Sequence, residues 1–383
     1  MTSAIRELLA SHNDLHDPVF KVETTREAAQ HNLDLLRKVK YDLRKICNEG
    51  KRTILQLGFE FKPVHELNKL FEIHPRWHRL YKILTQGVDF HLEHIDDEIR
   101  KKDLMAVIAR GNHKSAQKNN EFLSNALEKE ISHGWMLALP ADCVNEILGL
   151  ILKPMCVATH IEISETGNFV PKKRLTHDLL FPGAFSGLSV NSRVYISKLE
   201  PCMFSHVFSR IIHYIVALHR TYPGTRIWIR KDDFKSAFRR IHLNASTAYQ
   251  SAVGVTIRNI DLILISLRQS FGGAACPSEF ALLADLVTDT INDLLEDESW
   301  DSQKDYSPAT QKIPPANLLP MIIPFHDARD LSVELHVGSR GKSDVYVDDI
   351  ITIAADIRDD LDRITKEPVT IIRTCYHHAC SSR

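Results

Sequence analysis

Leu33, Leu36, Val39, Leu43 and Ile46 recur at three- and four-residue intervals between Thr24-Thr25-Arg26-Glu27 and Gly50. A threonine three positions ahead of a glutamate forms a capping box, and glycine is a usual C-terminal stop. The spacing therefore predicts one long amphipathic helix ending near residue 50. Residues 51–150 break into short helical and loop segments, with one charged helix over about 121–133 and no catalytic pattern. From Val157 the period changes to two. Ala158, His160, Glu162 and Ser164 alternate with Val157, Thr159, Ile161 and Ile163, and Gly167-Asn168 turns the chain toward Phe169-Val170, which predicts a hairpin.

Helical texture returns over 203–221. A short strand at 226–230 then runs straight into Lys231-Asp232-Asp233. A further strand over 261–267 precedes a glycine pair and a helix whose Phe280, Leu283, Val287, Ile291 and Leu294 share a face. Strands and helices alternate without the regular rhythm of a doubly wound sheet, so the class expected is α+β. Residues 296–342 are rich in Asp, Ser and Pro and predict a long loop or insertion. The chain has no internal repeat and no phosphate-binding GxxxxGK[ST] loop.

Composition sharpens this only in places. With 44% hydrophobic and 25% charged residues in 383, the chain reads as an ordinary folded protein with room for two or three domains. Its longest apolar runs, near 214–218 and 262–267, are too short to cross a bilayer, and the N-terminus lacks a secretory apolar core. We expect an intracellular protein without membrane partners. Seven scattered cysteines form no CxxC pair, and Cys375-Tyr-His-His-Ala-Cys380 crowds its ligands too closely for a tetrahedral zinc site. The net charge of -1 hides an asymmetry: residues 171–240 carry 13 basic against 4 acidic side chains, whereas 281–383 carry 10 against 19. A basic stretch beside an acidic one suits phosphate binding next to a carboxylate-rich site, although solvated surface charge gives the same count.

Three segments carry chemistry. In 344–353 two β-prone runs are separated by Asp348 and Asp349, where a two-residue turn would favour Asn-Gly or Asp-Gly. Adjacent carboxylates repel unless they are protonated, solvated or bound to a cation, and a divalent metal resolves that conflict. Asp233 stands at a strand end, from which it can converge with the turn on one point. Shared carboxylates of this kind hold paired ions in phosphoryl displacement, a role that suits Mg²⁺. In 269–280, Gly272 and Gly273 permit close backbone approach to a ligand, and Pro277 fits the first turn of the following helix. Each segment alone has a plainer reading, as a solvated turn, a helix cap or a loop entering a helix.

Taken together and in order, these segments resemble the polymerase motifs of reverse transcriptases, especially those of LTR retrotransposons and retroviruses. Asp233-Phe-Lys-Ser-Ala-Phe238 resembles the first palm motif; Phe271-Gly272, Pro277 and Phe280 are similar to the family's "FG…P..F" string. Tyr346-Val-Asp-Asp349 resembles its "YxDD" hairpin, and Arg174-Leu-Thr-His-Asp178 resembles the fingers segment that grips the incoming triphosphate. The resemblance covers about residues 155–355. It implies the fingers and palm of a right-hand polymerase, with an N-terminal helical region at 1–65, pre-fingers and fingers at 66–225, and a palm at 226–383 carrying the 296–342 insertion.

The resemblance further implies that Asp233, Asp348 and Asp349 gather two Mg²⁺ ions, with Mn²⁺ as a substitute. Arg174 would neutralise triphosphate charge, with Lys172 or Lys173 as helper. Phe238 would lie beneath the sugar and favour deoxynucleotides, and Gly272 and Gln269 would border the nucleotide pocket. The implied partners are an RNA or DNA template with its primer and deoxynucleoside triphosphates. A viral RNA-dependent RNA polymerase would instead carry Gly-Asp-Asp in the hairpin and a second aspartate where Phe238 stands. Two departures matter: the wide gap from Phe280 to Asp348, and the 34 residues after Asp349, too few for a thumb, connection or ribonuclease H domain. Lys366 is a candidate for the lysine expected after the hairpin. The expectation is thus a truncated reverse transcriptase, with a non-catalytic nucleic-acid-binding relic as the alternative.

Overall fold

The computed structural model describes residues 2–10, 15–48, 52–164, 167–201, 206–297 and 341–357, together with 366, 368, 370–372 and 375. Only the edges of the predicted 296–342 insertion, and only Cys375 of the Cys375–Cys380 cluster, fall among them. The described residues form a mixed helical and antiparallel-sheet protein, in agreement with the expected α+β class.

The described residues up to Ser132 are mainly helical: α1 (Thr2–Ala10), α2 (Arg26–Lys38), α3 (Leu43–Cys47), α4 (Val64–Phe71), α5 (Trp77–Gln86), α6 (Asp97–Arg110), α7 (Lys114–Lys118) and α8 (Asn120–Ser132). The Thr25 hydroxyl caps α2 by accepting from the Ala28 N–H at 3.1 Å. The single long helix predicted to residue 50 is instead two helices. Lys40 and Tyr41 take left-handed conformations, φ 56° and 59°, and the Asp42 carboxylate starts α3 by accepting from the Arg44 N–H at 3.1 Å. The break is held by side chains that the periodicity does not register, for the Tyr41 hydroxyl donates to Glu146. Leu33, Leu36, Leu43 and Ile46 remain buried on both sides of it, so the apolar spacing outlives the helix it suggested.

Among the described residues, three sheets follow. β1 (Met136–Pro140), β5 (Val253–Ile257) and β6 (Ile260–Ser266) run in the order β1-β6-β5, and β2 (Met155–Ile163) pairs with β3 (Phe169–His177) as the predicted hairpin. The third sheet, ordered β4-β8-β7, joins β4 (Ile227–Asp233), β7 (Gly341–Tyr346) and β8 (Asp349–Ala355). Further helices among the described residues include α9 (Val207–Thr221), α10 (Ala245–Gln250) and α11 (Cys276–Glu296). No helix among the described residues is long and apolar enough to cross a membrane.

The third sheet is anchored from two sides. Val345, Ile350 and Ala354 join the main apolar core with Phe280, Leu283 and Val287 of α11, whereas Ile353 and Ala355 pack with Val207, Ile211 and Leu218 of α9. α11 buries 15 of its 21 residues, which makes it a central helix and not the one-faced helix that its spacing suggested. Asn292 pins it to β7, accepting from the Ser343 N–H at 2.7 Å and donating to the Ser343 carbonyl at 3.1 Å.

Candidate active site

Asp233 is the last residue of β4 and Asp349 the first of β8, and the antiparallel register sets them directly opposite each other. Asp348 precedes Asp349 in the turn from β7, where its carbonyl accepts from the Phe234 N–H at 3.0 Å. One carboxylate oxygen from each of Asp233, Asp348 and Asp349 lies within 4.8 Å of the other two. The three half-buried side chains thus form a single acidic cluster at the strand ends.

The turn differs from its expected form by one residue. Tyr346 pairs with Asp349, so the two turn residues are Val347 and Asp348, and Asp349 belongs to β8. Had Asp349 been the second turn residue, the pleat would not aim it at Asp233. Val347 has φ 59°, a region in which a β-branched residue is an outlier and where such turns usually carry glycine. Strain of this kind costs about 1–3 kcal/mol and is held here by the β7–β8 ladder.

Burial first, then the charges of Asp233 and Asp349, push the Asp348 carboxyl above its ordinary range. A raised folded pKa means that Asp348's contribution to stability is fully present below about pH 4, the ordinary aspartate value, and is lost as pH rises through the higher folded value. Asp348→Asn is therefore expected to raise the melting temperature of the metal-free protein at pH 7, with a gain that shrinks toward pH 3. Melts in chelator at both pH values check this, and a lower melting temperature for the variant at pH 7 contradicts it. The donor set consists of hard carboxylate oxygens, which suits Mg²⁺ or Mn²⁺ and not a thiolate-seeking metal.

Two neighbours of Asp233 have separate duties. Asp232 faces the other side of β4, 2% exposed, where Arg230 grips it through Nε and Nη2 at 2.7 Å each. Lys231 shares Asp233's face and places Nζ 2.8 Å from Oδ2 of Asp349. Neither role was assigned from the sequence, although alternation along Arg230-Lys-Asp-Asp233 carries the signal: residues two apart share a face.

The other expected site residues are distributed around this cluster. Phe238 packs its ring 5.2 Å from Phe271 and 5.6 Å from Phe280, and Phe280 also meets Phe234 at 5.5 Å. These aromatic contacts tie the Asp233 segment to α11 and to the Gly272 loop. Within them Phe238 is 8% exposed and Phe271 49%, so the ring facing solvent is Phe271. Gly272 has φ 109°, and a side chain there would collide with the His177 carbonyl oxygen at the end of β3. Asn191 clamps the same loop, donating to the Gly272 carbonyl at 2.7 Å and accepting from the Ala274 N–H at 2.9 Å. With its partner 81 positions away, Asn191 gave no sequence signal. Gln269 is fully buried with both side-chain amide atoms unpartnered, so it borders no open pocket in this arrangement.

Arg174 and Lys172 lie on the β2–β3 hairpin and both pair with Glu162, at 3.0 and 2.9 Å. Glu162 is their ion-pair partner in this arrangement, and the hairpin meets the Gly272 loop through His177, three residues beyond Arg174, which donates its N–H to the Phe271 carbonyl at 3.3 Å. Asp178 of the same motif pairs with His113 at 2.7 Å. Much of the basic run in 171–240 is committed internally. Arg239 is buried against Glu130 at 2.7 Å, Arg240 against Glu60, and Arg210 pairs with Asp344 at 2.6 Å. Charge counted along the chain therefore overstates what is available to a phosphate backbone.

No protein-family profile matches the chain, and no curated protein matches it by sequence. Among solved structures, it is similar to a foamy viral protease-reverse transcriptase in complex with double-stranded DNA, with a TM-score of 0.37 and 12% identity over 83% of this chain. The chain spans 43% of the length of that protein.

Proposed function

We propose that the chain is the fingers-and-palm part of a retroelement reverse transcriptase, performing two-metal nucleotidyl transfer to a primer 3′-hydroxyl. The observation that carries this reading is the convergence of Asp233 with Asp348 and Asp349, on strand ends whose flanking strings match polymerase motifs in order. Asp233, Asp348 and Asp349 would hold a pair of Mg²⁺ ions, for which Mn²⁺ would substitute. Such ions, when bound, stabilise the attacking and leaving oxygens of an in-line displacement on the α-phosphate, with loss of pyrophosphate.

The chain's own groups supply position and charge. Arg174 and Lys172 would exchange Glu162 for the triphosphate, an exchange made easy by their exposure on the hairpin. Phe238, with Phe271 against it, would form the floor under the deoxyribose and leave no room for a 2′-hydroxyl. Gly272 would border the nucleotide, and Gln269, buried in this arrangement, would reach it only if the Gly272 loop opened. The template would be held through its backbone and shape.

The burial of Gln269 and Phe238 favours a second reading, a protein that binds nucleic acid without extending it. Primer extension separates the two. Purified protein is given a DNA primer on an RNA template with Mg²⁺ or Mn²⁺ and either deoxynucleotides or ribonucleotides. Extension that needs metal and prefers deoxynucleotides supports the polymerase. Template binding by a folded protein without extension under either metal supports the second reading.

A further inference from the structure

Beyond that reading, and resting on it, we propose that Lys231 is a resident counter-ion of the acidic cluster that a divalent metal has to displace, so that it sets the metal affinity of the site. The geometry is specific. Alternation along β4 puts Lys231 and Asp233 on one face, and the register pairs Asp233 with Asp349 and Lys231 with Ile351. Lys231 is thus the diagonal neighbour of Asp349, within reach of a long side chain. Its Nζ lies 2.8 Å from Asp349 Oδ2, an oxygen of one of the three carboxylates gathered in the cluster.

The chemistry follows from charge. Three carboxylates within 4.8 Å of one another repel, and an ammonium at their edge relieves part of that repulsion in the metal-free protein. When a dication enters, the same ammonium becomes a like charge beside it. Lys231 is suited to leave: its side chain is 61% exposed, and it is a point charge on a flexible stem. Arg230, in contrast, is fixed by its two bonds to buried Asp232 on the opposite face and does not compete.

The test measures Mn²⁺ binding by the free-ion electron paramagnetic resonance signal, at constant ionic strength, in the full chain and in Lys231→Met, Lys231→Arg and Asp348→Asn. Removing a unit charge from about 5 Å of a dication in a solvent-exposed setting is expected to tighten binding about tenfold in Lys231→Met. Lys231→Arg should stay near the parent, and Asp348→Asn should bind far more weakly. Parent binding that Asp348→Asn abolishes, together with unchanged or weaker binding by Lys231→Met, overturns the counter-ion role and leaves the metal site standing. No binding by either the parent or Lys231→Met overturns both. Binding by Lys231→Met alone supports the counter-ion role in its strongest form. Should Lys231→Met fold poorly without metal, Lys231→Gln serves in thermal melts, where Mn²⁺ should raise its melting temperature by more than it raises the parent's. An equal or smaller rise contradicts the proposal.

Discussion

Asp348→Asn is expected to reduce metal-dependent primer extension by roughly a thousandfold or more, equivalent to about 4 kcal/mol of transition-state stabilisation. The replacement is nearly isosteric and leaves the Asp348 carbonyl free to accept from Phe234 as before, so the turn should persist. What would be lost is one of the three carboxylates proposed to hold metal, and with it part of the negative charge that a second dication would need. Because the Asp348 carboxyl sits above its ordinary range in the metal-free protein, the same substitution should leave the fold intact and more heat-resistant at pH 7. Lost activity together with gained stability distinguishes a functional carboxylate from a structural one. Extension assays and melts on the same preparation read both, and a variant that keeps more than about a tenth of parental extension contradicts the role.

The largest stability effect is expected at Glu60. This buried carboxylate accepts from Arg240 and from the Trp135 indole at 3.4 Å, while fully buried Arg268 donates to His242 and, at 3.0 Å, to the Ile54 carbonyl. Burial pulls the Arg268 guanidinium down to about 10, and Glu60 is the first of the charges that oppose this. Glu60→Ala would leave buried Arg240 without its carboxylate and remove a charge that opposes the burial of Arg268, at a cost of about 3–5 kcal/mol. That is a large part of the total stability of an ordinary domain. Urea unfolding should show a lower midpoint at an unchanged slope; a loss below about 1 kcal/mol would mean that water or another anion already satisfies the pair. Arg240 follows Asp233 by seven residues, so this buried pair also steadies the segment that carries the first aspartate.

The site was more legible in the sequence than its surroundings. Alternation is local, so the strand into Asp233 and the β2–β3 hairpin could be read directly, and Pro277 marked the start of α11. The Asp-Asp step was legible as a turn but not in its register. Only the pairing of Tyr346 with Asp349 moves the bend to Val347, and no residue preference predicts a valine at positive φ. The break after α2 was hidden for a related reason: apolar spacing records which residues are buried, and both halves bury the same face. Least legible were the burial of Gln269 and Phe238 and the internal partners of Arg239 and Arg240. These depend on contacts between distant segments, and one chain read along its length holds no record of them.

Anomalous diffraction from crystals grown with Mn²⁺ reads directly whether Asp233, Asp348 and Asp349 hold metal together. Anomalous peaks are expected against the three carboxylates, two of them if the site holds a metal pair, with the Lys231 side chain swung away from Asp349. Clear density for the three side chains with no peak between them at saturating Mn²⁺, or with the ions bound elsewhere on the molecule, would contradict a shared metal site.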